Sequence, residues 1–393
     1  MIERNLKIKL LEHSHYYPIV TVTGPRQSGK TTLCRHAFPQ KKYVSLEAMD
    51  VRSYATQDPR GFLNEYKEGA VIDEVQNAPD ILTYLQPEVD SNDTPGRFIL
   101  TGSQNFILSN AISQSLAGRT AVMTLMPAGI DELRRFDSFP GSLLETLWYG
   151  GYPRIFDRQI PPQVWLADYV ATYVQRDVRQ ILNVADLTAF TSFLKLCAGR
   201  TGQILNLSAL GSDCGINHNT AKAWLSVLET SFLIFRLPAW YANLRKQIVK
   251  APKLHFLDSG LVCYLLGIRT PDELRHHPLR GAIFESWAVS EIYKKLVHQA
   301  VVPRLFHYRD SKRLEVDLVC ECGDKLILTE FKSGETITSD YFSPLHKLSK
   351  QTAAVTNQLE TIGRLIYGGD TGQQRSSVNV IPWSDIVTVP WCG

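Results

Sequence analysis

Residues 19–33 read IVTVTGPRQSGKTTL, and this stretch decides how the first third of the chain is understood. Ile19 to Thr23 is a short β-branched run, the composition of a buried strand. Gly24 to Thr31 then fits G-x-x-x-x-G-K-[ST] at every position. The two glycines let the chain curl so that successive backbone N–H groups face one anion, and the following helix turns the positive end of its dipole toward the same point. Gly24, Pro25, Arg26, Gln27, Ser28, Gly29, Lys30, Thr31 and Thr32 are therefore expected to cradle the phosphates of a nucleotide, ATP. Lys30 would reach the β- and γ-phosphates, and Thr31 would hold Mg²⁺.

Two further strands belong with this loop. GAVIDEVQ, residues 69–76, is a short apolar run ending in Asp73 and Glu74. A carboxylate at such a strand end binds Mg²⁺ through water, which suits Asp73, and its neighbour Glu74 can orient and deprotonate the attacking water. A plain surface acidic pair is the alternative. RFILTGSQ, residues 97–104, ends in Thr101, Ser103 and Gln104. This strand resembles the polar sensor strand that lies between the phosphate-loop strand and the acidic strand in AAA-type ATPases. The resemblance implies that Ser103 or Gln104 touches the γ-phosphate or the water, with Thr101 an equal alternative. An extra strand near Tyr43 to Glu47 looks like the ATPase branch that uses a catalytic glutamate. In SLAGRT, Arg119 stands where such ATPases often carry an arginine finger, an ordinary surface arginine being the other reading.

At 393 residues the chain has room for two or three domains, and its composition, 44% hydrophobic and 21% charged, gives no reason to expect long disorder. A net charge of +3 permits a nucleic-acid partner without arguing for one, because clustering matters more than the total. Seven scattered cysteines, with Cys320 and Cys322 the one close pair and no second pair to complete a zinc set, read as reduced thiols of a cytoplasmic protein. The N-terminus lacks the apolar core of a signal peptide, and no stretch approaches the ~18 apolar residues of a membrane span.

After GGYPRIF the text turns helical, as in VWLADYVATYVQRDVRQIL, where Trp165, Tyr169, Thr172, Tyr173 and Arg176 recur at helical spacing. LNLSALGSDCGINHNTAKAWLSVLETSFLIF has the grammar of a helix-turn-helix, with Ser208 and Asn217 as caps and Ala221, Trp224, Leu225 and Leu228 on the buried side. Two β-like runs follow, Ser231 to Leu237 and Lys253 to Asp258. The segment between them would be a basic wing with Arg245, Lys246, Lys250 and Lys253. The second helix offers His218, Asn219 and Lys222 but no arginine, so phosphate contact is expected rather than base reading. A packing role alone is the competing view.

The last third holds RGAIFESWAVSEIYKKLV, a helix by period, in which Glu285 lies on the stripe of Ala288, Val289, Ile292 and Leu296. A carboxylate on a buried stripe needs a partner. EVDLVCECGDKLILTEFKSG, residues 315–334, then reads as a hairpin in which the turn sets Asp317 opposite Glu330 and Glu315 opposite Lys332. A helix with an inward Glu, a strand with Asp and a strand with Glu-x-Lys resemble the restriction-endonuclease-like core of the PD-(D/E)xK nucleases. The resemblance implies that Asp317 and Glu330 coordinate Mg²⁺ or Mn²⁺, that Lys332 activates water and stabilises phosphorane charge, and that Glu285 completes the outer shell. A metal-free hairpin laced by Glu–Lys pairs is the alternative.

The expected fold class is α/β: a P-loop AAA-type ATPase domain at 1–149, a helical and winged-helix-like domain at 150–270, and a PD-(D/E)xK nuclease-like α/β domain at 271–393. That order resembles a bacterial and archaeal family of AAA-type ATPases with a C-terminal PD-(D/E)xK domain. The implied function is an ATPase that gates a metal-dependent nuclease acting on DNA, in a homo-oligomer. A nucleotide switch whose C-terminal domain binds a protein or nucleic acid without cutting is the other reading.

Overall fold

In the computed structural model, residues 2–103, 115–174, 187–241, 250–354, 359–375 and 377–392 are described. Gln104, Arg176, Asp177, Arg245 and Lys246 fall outside them. The chain packs as two compact units. One comprises Met1–Ala128, Thr230–Phe232 and Val297–Ala300, the other Gly129–Glu229, Leu233–Leu296 and Val301–Gly393.

The first unit is built on a parallel sheet. Its strands are β1 (Ile19–Thr23), β2 (Lys42–Ser45), β3 (Ala70–Asp73), β4 (Phe98–Thr101) and β5 (Thr120–Thr124), in the order β2-β3-β4-β1-β5. Residues alternate across a strand, and the alternation feeds two cores. Ile19, Val44, Ala70, Ile72, Phe98 and Leu100 pack into one apolar cluster, while Val20, Val22, Val71, Ile99, Ala121 and Met123 pack into the other. Burial on both faces explains why these runs are continuously apolar rather than alternating. The polar ends of β1, β3 and β4, namely Thr23, Asp73 and Thr101, all lie at the C-terminal edge of the sheet. That edge is where ligands bind in open parallel α/β sheets.

In the second unit, helices Leu207–Asp213 and His218–Thr230 precede β7 (Ile234–Leu237) and β8 (Lys253–Phe256), which with β6 (Gln203–Ile204) form a sheet of order β6-β8-β7. The first helix is capped by Asn206, whose side chain accepts from Ala209 N, rather than by Ser208. Ala221, Trp224, Leu225 and Leu228 are buried, as the helical spacing requires. Helix Arg280–His298 leads to a mixed sheet of order β13-β14-β12-β11-β10-β9. Its strands are β9 (Leu305–Arg309), β10 (Glu315–Cys322), β11 (Lys325–Lys332), β12 (Glu360–Tyr367), β13 (Gln373–Arg375) and β14 (Val378–Pro382). The two sheets of this unit are stitched where Trp240 N donates to His307 O at 2.7 Å and His307 N donates to Pro238 O at 2.9 Å.

Two sequence expectations are corrected here. The cysteines are not all reduced: Cys322 and Cys392 are joined in a disulfide, with Cys320 Sγ 2.9 Å from Cys392 Sγ. Sequence spacing gave no warning, because 70 positions separate the bonded pair. Lys253 does not belong to an exposed basic wing, for it sits within β8 and is 2% exposed.

Candidate functional site

At the C-terminal edge of the first unit's sheet, the glycine-containing loop needs its glycines. Gly24 has φ +142°, and a Cβ there would stand 2.2 Å from Leu125 O; Gly29, at φ +94°, starts helix Lys30–Ala37. Arg4 clasps the loop from outside, donating to Ser28 O at 2.6 Å and to Met126 O at 2.8 Å. Lys30 is buried and folds back on its own loop, donating to Gly24 O at 3.1 Å and Pro25 O at 2.8 Å. Burial pushes its ammonium down to about 8, against the opposing pull of Glu74 and Asp73. Ser28 Oγ is buried with no hydrogen-bond partner among the described residues. A confined lysine and an orphaned hydroxyl in a curled loop fit a phosphate, which would satisfy both.

Asp73 is the hub of the site. Its carboxylate accepts from Thr31 Oγ1 at 2.9 and 3.0 Å, from Tyr43 Oη at 3.0 Å and from Thr101 Oγ1. Thr31 and Asp73 thus touch directly, a hard-oxygen pair of the kind Mg²⁺ takes. Glu74 sits just past β3 in the left-handed region, φ 58°, and its carboxylate accepts from Gln76 Nε2. Of the described alternatives at the end of β4, Thr101 is the residue in contact with both acidic residues: it donates to Asp73 and lies 3.4 Å from Glu74 N. Ser103 is half-buried two residues past the strand end. Arg119 makes a two-pronged ion pair with Asp90, Nε–Oδ1 2.5 Å and Nη2–Oδ2 2.9 Å, at the surface of its own unit. Sequence reasoning missed Arg4, Tyr43 and Gln76. Tyr43 carried the one available signal, a phenol on the strand next to the acidic one.

The second unit holds a denser cluster of charge. The hairpin ladder follows the expected register, Cys322 with Lys325 through Leu318 with Thr329, and stops there. Against β9, β10 carries a bulge between Val316 and Val319, so both valines pack in the same apolar cluster and the simple alternation assumed from sequence fails. Within the bulge, Asp317 Oδ2 accepts from Phe331 N at 3.0 Å, a side chain standing in for a ladder bond. Lys332 Nζ lies 2.8 Å from Glu330 Oε2 and 3.8 Å from Asp317 Oδ2. Burial works against this ammonium, but Asp317 and Glu330 outweigh it and push it up to about 12. Burial and the neighbouring Asp317 raise Glu330 to about 8, against the opposing Lys332.

Behind them stands Lys253, which the sequence placed elsewhere. Its Nζ is 2.8 Å from Glu285 Oε1, 2.7 Å from Glu315 Oε1 and 3.6 Å from Asp317 Oδ1. Burial opposes its charge, yet Glu285, Asp317 and Glu315 prevail and hold it well above the usual lysine range. Glu285, raised to about 8 by burial and Asp317, is partly offset by Lys253. Buried His255 and His307 are both pushed down by burial and then by Lys253, His307 to about 4, so neither adds a second positive charge at neutral pH. Helix Arg280–His298 and β8 are fastened together by Ser286 Oγ, which accepts from Phe256 N at 3.1 Å, and by Ser290 Oγ, which donates to Leu257 O at 2.8 Å. The signal for Lys253 was the string KLHF, where a lysine and a histidine share one face of a four-residue strand.

Asp317, Glu330, Lys332 and Glu315 line an open cleft of about 630 Å³, whose rim carries the exposed cations Lys312, Arg313 and Lys347. Glu330 Oε1 takes no hydrogen bond from the described residues, and with Asp317 it forms a donor set of carboxylate oxygens that suits Mg²⁺ or Mn²⁺.

Residues 16–134 match a family described as an AAA domain, residues 141–272 a domain of unknown function (DUF8612), and residues 280–386 a second domain of unknown function (DUF4143). The first match likens the N-terminal segment to AAA domains. Over 391 residues the chain is 27% identical to "Uncharacterized protein Rv2008c" of Mycobacterium tuberculosis, covering 98% of this chain and 84% of that one. "Uncharacterized protein MJ1544" of Methanocaldococcus jannaschii is 22% identical over 291 residues, 66% of this chain and 64% of its own. Among solved structures, the Walker-type ATPase PABY2304 of Pyrococcus abyssi is similar at 16% identity and TM-score 0.45, covering 67% of this chain and 96% of that one. AMPPCP-bound DnaA of Aquifex aeolicus is similar at 14% identity and TM-score 0.30, covering 57% and 86%. No described helix is long and apolar enough to cross a membrane.

Proposed function

We propose that this chain hydrolyses ATP at the loop around Lys30 and uses nucleotide state to gate a metal-dependent nuclease in its C-terminal third. The ATPase half rests on Thr31, Asp73 and Glu74 meeting at the loop. Lys30 would hold the β- and γ-phosphates, Thr31 and Asp73 would hold Mg²⁺, and Glu74, released from Gln76, would accept the proton of the attacking water. Arg119 would act as an arginine finger only after leaving Asp90. Ser103 remains a proposed γ-phosphate contact beside Thr101.

The nuclease half is carried by one observation: Asp317, Glu330 and Lys332 converge on an acidic floor beneath a basic rim. Exposed lysines and an arginine around a cleft attract a phosphodiester backbone, and carboxylates at its base suit a divalent cation. Such a cation supplies Lewis acidity and a nucleophilic water at neutral pH. Asp317 and Glu330 would hold it in a PD-(D/E)xK core, and Lys332 would donate toward the phosphorus-bound oxygen that gains charge. The helices Leu207–Asp213 and His218–Thr230 with β7 and β8 read as a winged-helix-like module. There His218, Asn219 and Lys222 offer exposed donors to DNA phosphate.

Phosphate release from Mg·ATP, and nicking of linear, branched and single-stranded DNA with Mg²⁺ or Mn²⁺, test the two halves separately. Cleavage that disappears in Asp317→Ala while phosphate release persists is the expected result. Intact DNA under every condition would end the nuclease reading. The second reading, a nucleotide switch whose C-terminal domain binds a partner without cutting, is favoured by Lys253 lying among the carboxylates.

A further inference from the structure

The cluster around Asp317 contains four carboxylates, Glu285, Glu315, Asp317 and Glu330. Against them stand three cations, Lys253, Lys332 and Arg309, the last with Nη1 3.5 Å from Glu315 Oε2. A divalent ion placed beside these cationic groups meets like charge, and like charges repel steeply where water is scarce.

The geometry divides the carboxylates into two sets. Glu285 is committed to the lysine at its back: Glu285 Oε1 is 2.8 Å from Lys253 Nζ, and neither residue lines the cleft. Glu315 reaches the cleft wall but gives one oxygen to Lys253 and the other to Arg309. Asp317 and Glu330 face the cleft, and Glu330 keeps an oxygen free of hydrogen bonds from the described residues. Lys253 cannot swing away as a surface lysine would. Its strand pairs on both sides, Leu237 with Lys253 and Ile204 with Lys253, and the next residues are fastened to helix Arg280–His298 through Ser286 and Ser290.

We propose that Lys253 is a built-in monovalent cation that pairs with Glu285 and Glu315 and so restricts the cleft to one divalent metal ion, held by Asp317 and Glu330. This rests on the metal-site part of the nuclease reading. It gives Lys253 a positioning role: the ammonium fills the space between the helix carboxylate and the hairpin that a second metal ion would otherwise take. It also removes Glu285 from the ligand set to which the sequence assigned it. A phosphodiester reaction at this cleft then has one metal ion and the Lys332 ammonium, rather than two metal ions, to meet its negative charge.

The test counts metal ions and does not depend on cleavage. Mn²⁺ is titrated into the full-length, nucleotide-free chain carrying Asp73→Asn to silence the ATPase site, and free Mn²⁺ is read by electron paramagnetic resonance. One bound ion per chain is expected, lost with Asp317→Asn, and the count should rise to two in Lys253→Met. Glu285→Gln guards against a Lys253→Met protein that does not fold. If Lys253 neutralises Glu285 and the metal ignores it, Glu285→Gln keeps one ion with affinity changed less than about threefold, under roughly 1 kcal/mol. Two ions in the parent, none in the parent, one ion in a folded Lys253→Met, or loss of the ion in Glu285→Gln would each overturn the assignment. A single ion in both the parent and Lys253→Met would overturn the role of Lys253 while leaving the metal site itself standing. Failure of the nuclease reading is seen independently, as metal binding without any cut DNA.

Discussion

ATP affinity should fall as pH rises through the range in which Lys30 loses its proton. In the nucleotide-free chain Lys30 is buried and its ammonium is pushed down to about 8, because burial outweighs the attraction of Glu74 and Asp73. Bound phosphates would hold the proton far more tightly, so the charged form is the one that binds. The binding-competent fraction is then about nine-tenths near pH 7 and about one-tenth near pH 9, an affinity loss of roughly tenfold, worth about 1.4 kcal/mol. Another factor of about ten follows over the next pH unit. A nucleotide's last phosphate proton is gone by about pH 7.5, so the trend above that belongs to the protein.

Stability carries the opposite sign. The folded pKa lies below the ordinary 10.5 of lysine, so between about 8 and 10.5 the unfolded chain binds more protons than the folded one. The burial penalty is fully present below about 8. It is relieved as pH rises through that window, by up to about 3 kcal/mol, in the nucleotide-free protein alone. Isothermal titration with ATP in buffers of different ionisation heat measures both affinity and proton uptake, which should approach one proton near pH 9. An affinity that stays flat from about pH 7.5 to 9, with no proton uptake, would refute the reasoning by showing that Lys30 keeps its charge before nucleotide arrives.

Glu74→Gln should bind Mg·ATP normally yet lose on the order of 10²–10⁴ in turnover, measured as released phosphate, since an amide cannot accept the water's proton. Arg119→Ala, which breaks the pair with Asp90, should leave nucleotide affinity unchanged. A fall in turnover, together with wild-type turnover per chain that rises with protein concentration, would identify a finger acting between subunits. Mn²⁺ at about a hundred times its Kd should stabilise the second unit by about 2.7 kcal/mol in a melting experiment, and Asp317→Ala should abolish that gain. Lys332→Ala should retain it while losing cleavage. Reducing the Cys322–Cys392 bond should lower the stability of the same unit by at most about 4 kcal/mol, read as a shift in denaturant midpoint.

The sites were unequally legible from sequence, and the reason is range. The curl of the loop at Gly24 to Thr31 was readable because it is local backbone geometry: two glycines at positive φ, with a lysine and a threonine at fixed offsets. Asp73 was readable because an apolar strand ending in carboxylates is also a local pattern. The hairpin register followed from its tight turn, as far as Leu318 with Thr329. Beyond that the bulge re-aimed Asp317, and a bulge adds no residue type that would betray it. Lys253 was read as a solvent-facing wing because Arg245, Lys246 and Lys250 surround it in sequence. Its real neighbours, Glu285 and Glu315, are 32 and 62 positions away, and only tertiary packing brings them within 2.8 Å. Tyr43 and Arg4 escaped for the same reason, since each acts on a loop or carboxylate far along the chain.

The bond between Cys322 and Cys392 has a topological consequence. It closes residues 322 to 392 into a covalent ring that begins at the hairpin turn and encloses β11 to β14. Glu330 and Lys332 lie on the ring, whereas Asp317, Glu315, Glu285 and Lys253 lie on the open chain leading into it. The charged cleft is therefore shared between a linear strand and a loop without a free end. A protease that nicks the ring once opens the loop but releases no fragment, so the band on a non-reducing gel stays whole and divides only when a thiol is added. A nick between Asp317 and Cys322 separates the two halves of the cleft into different covalent pieces even without a reductant. The position of a single cut thus reports on which side of the cleft the backbone opened.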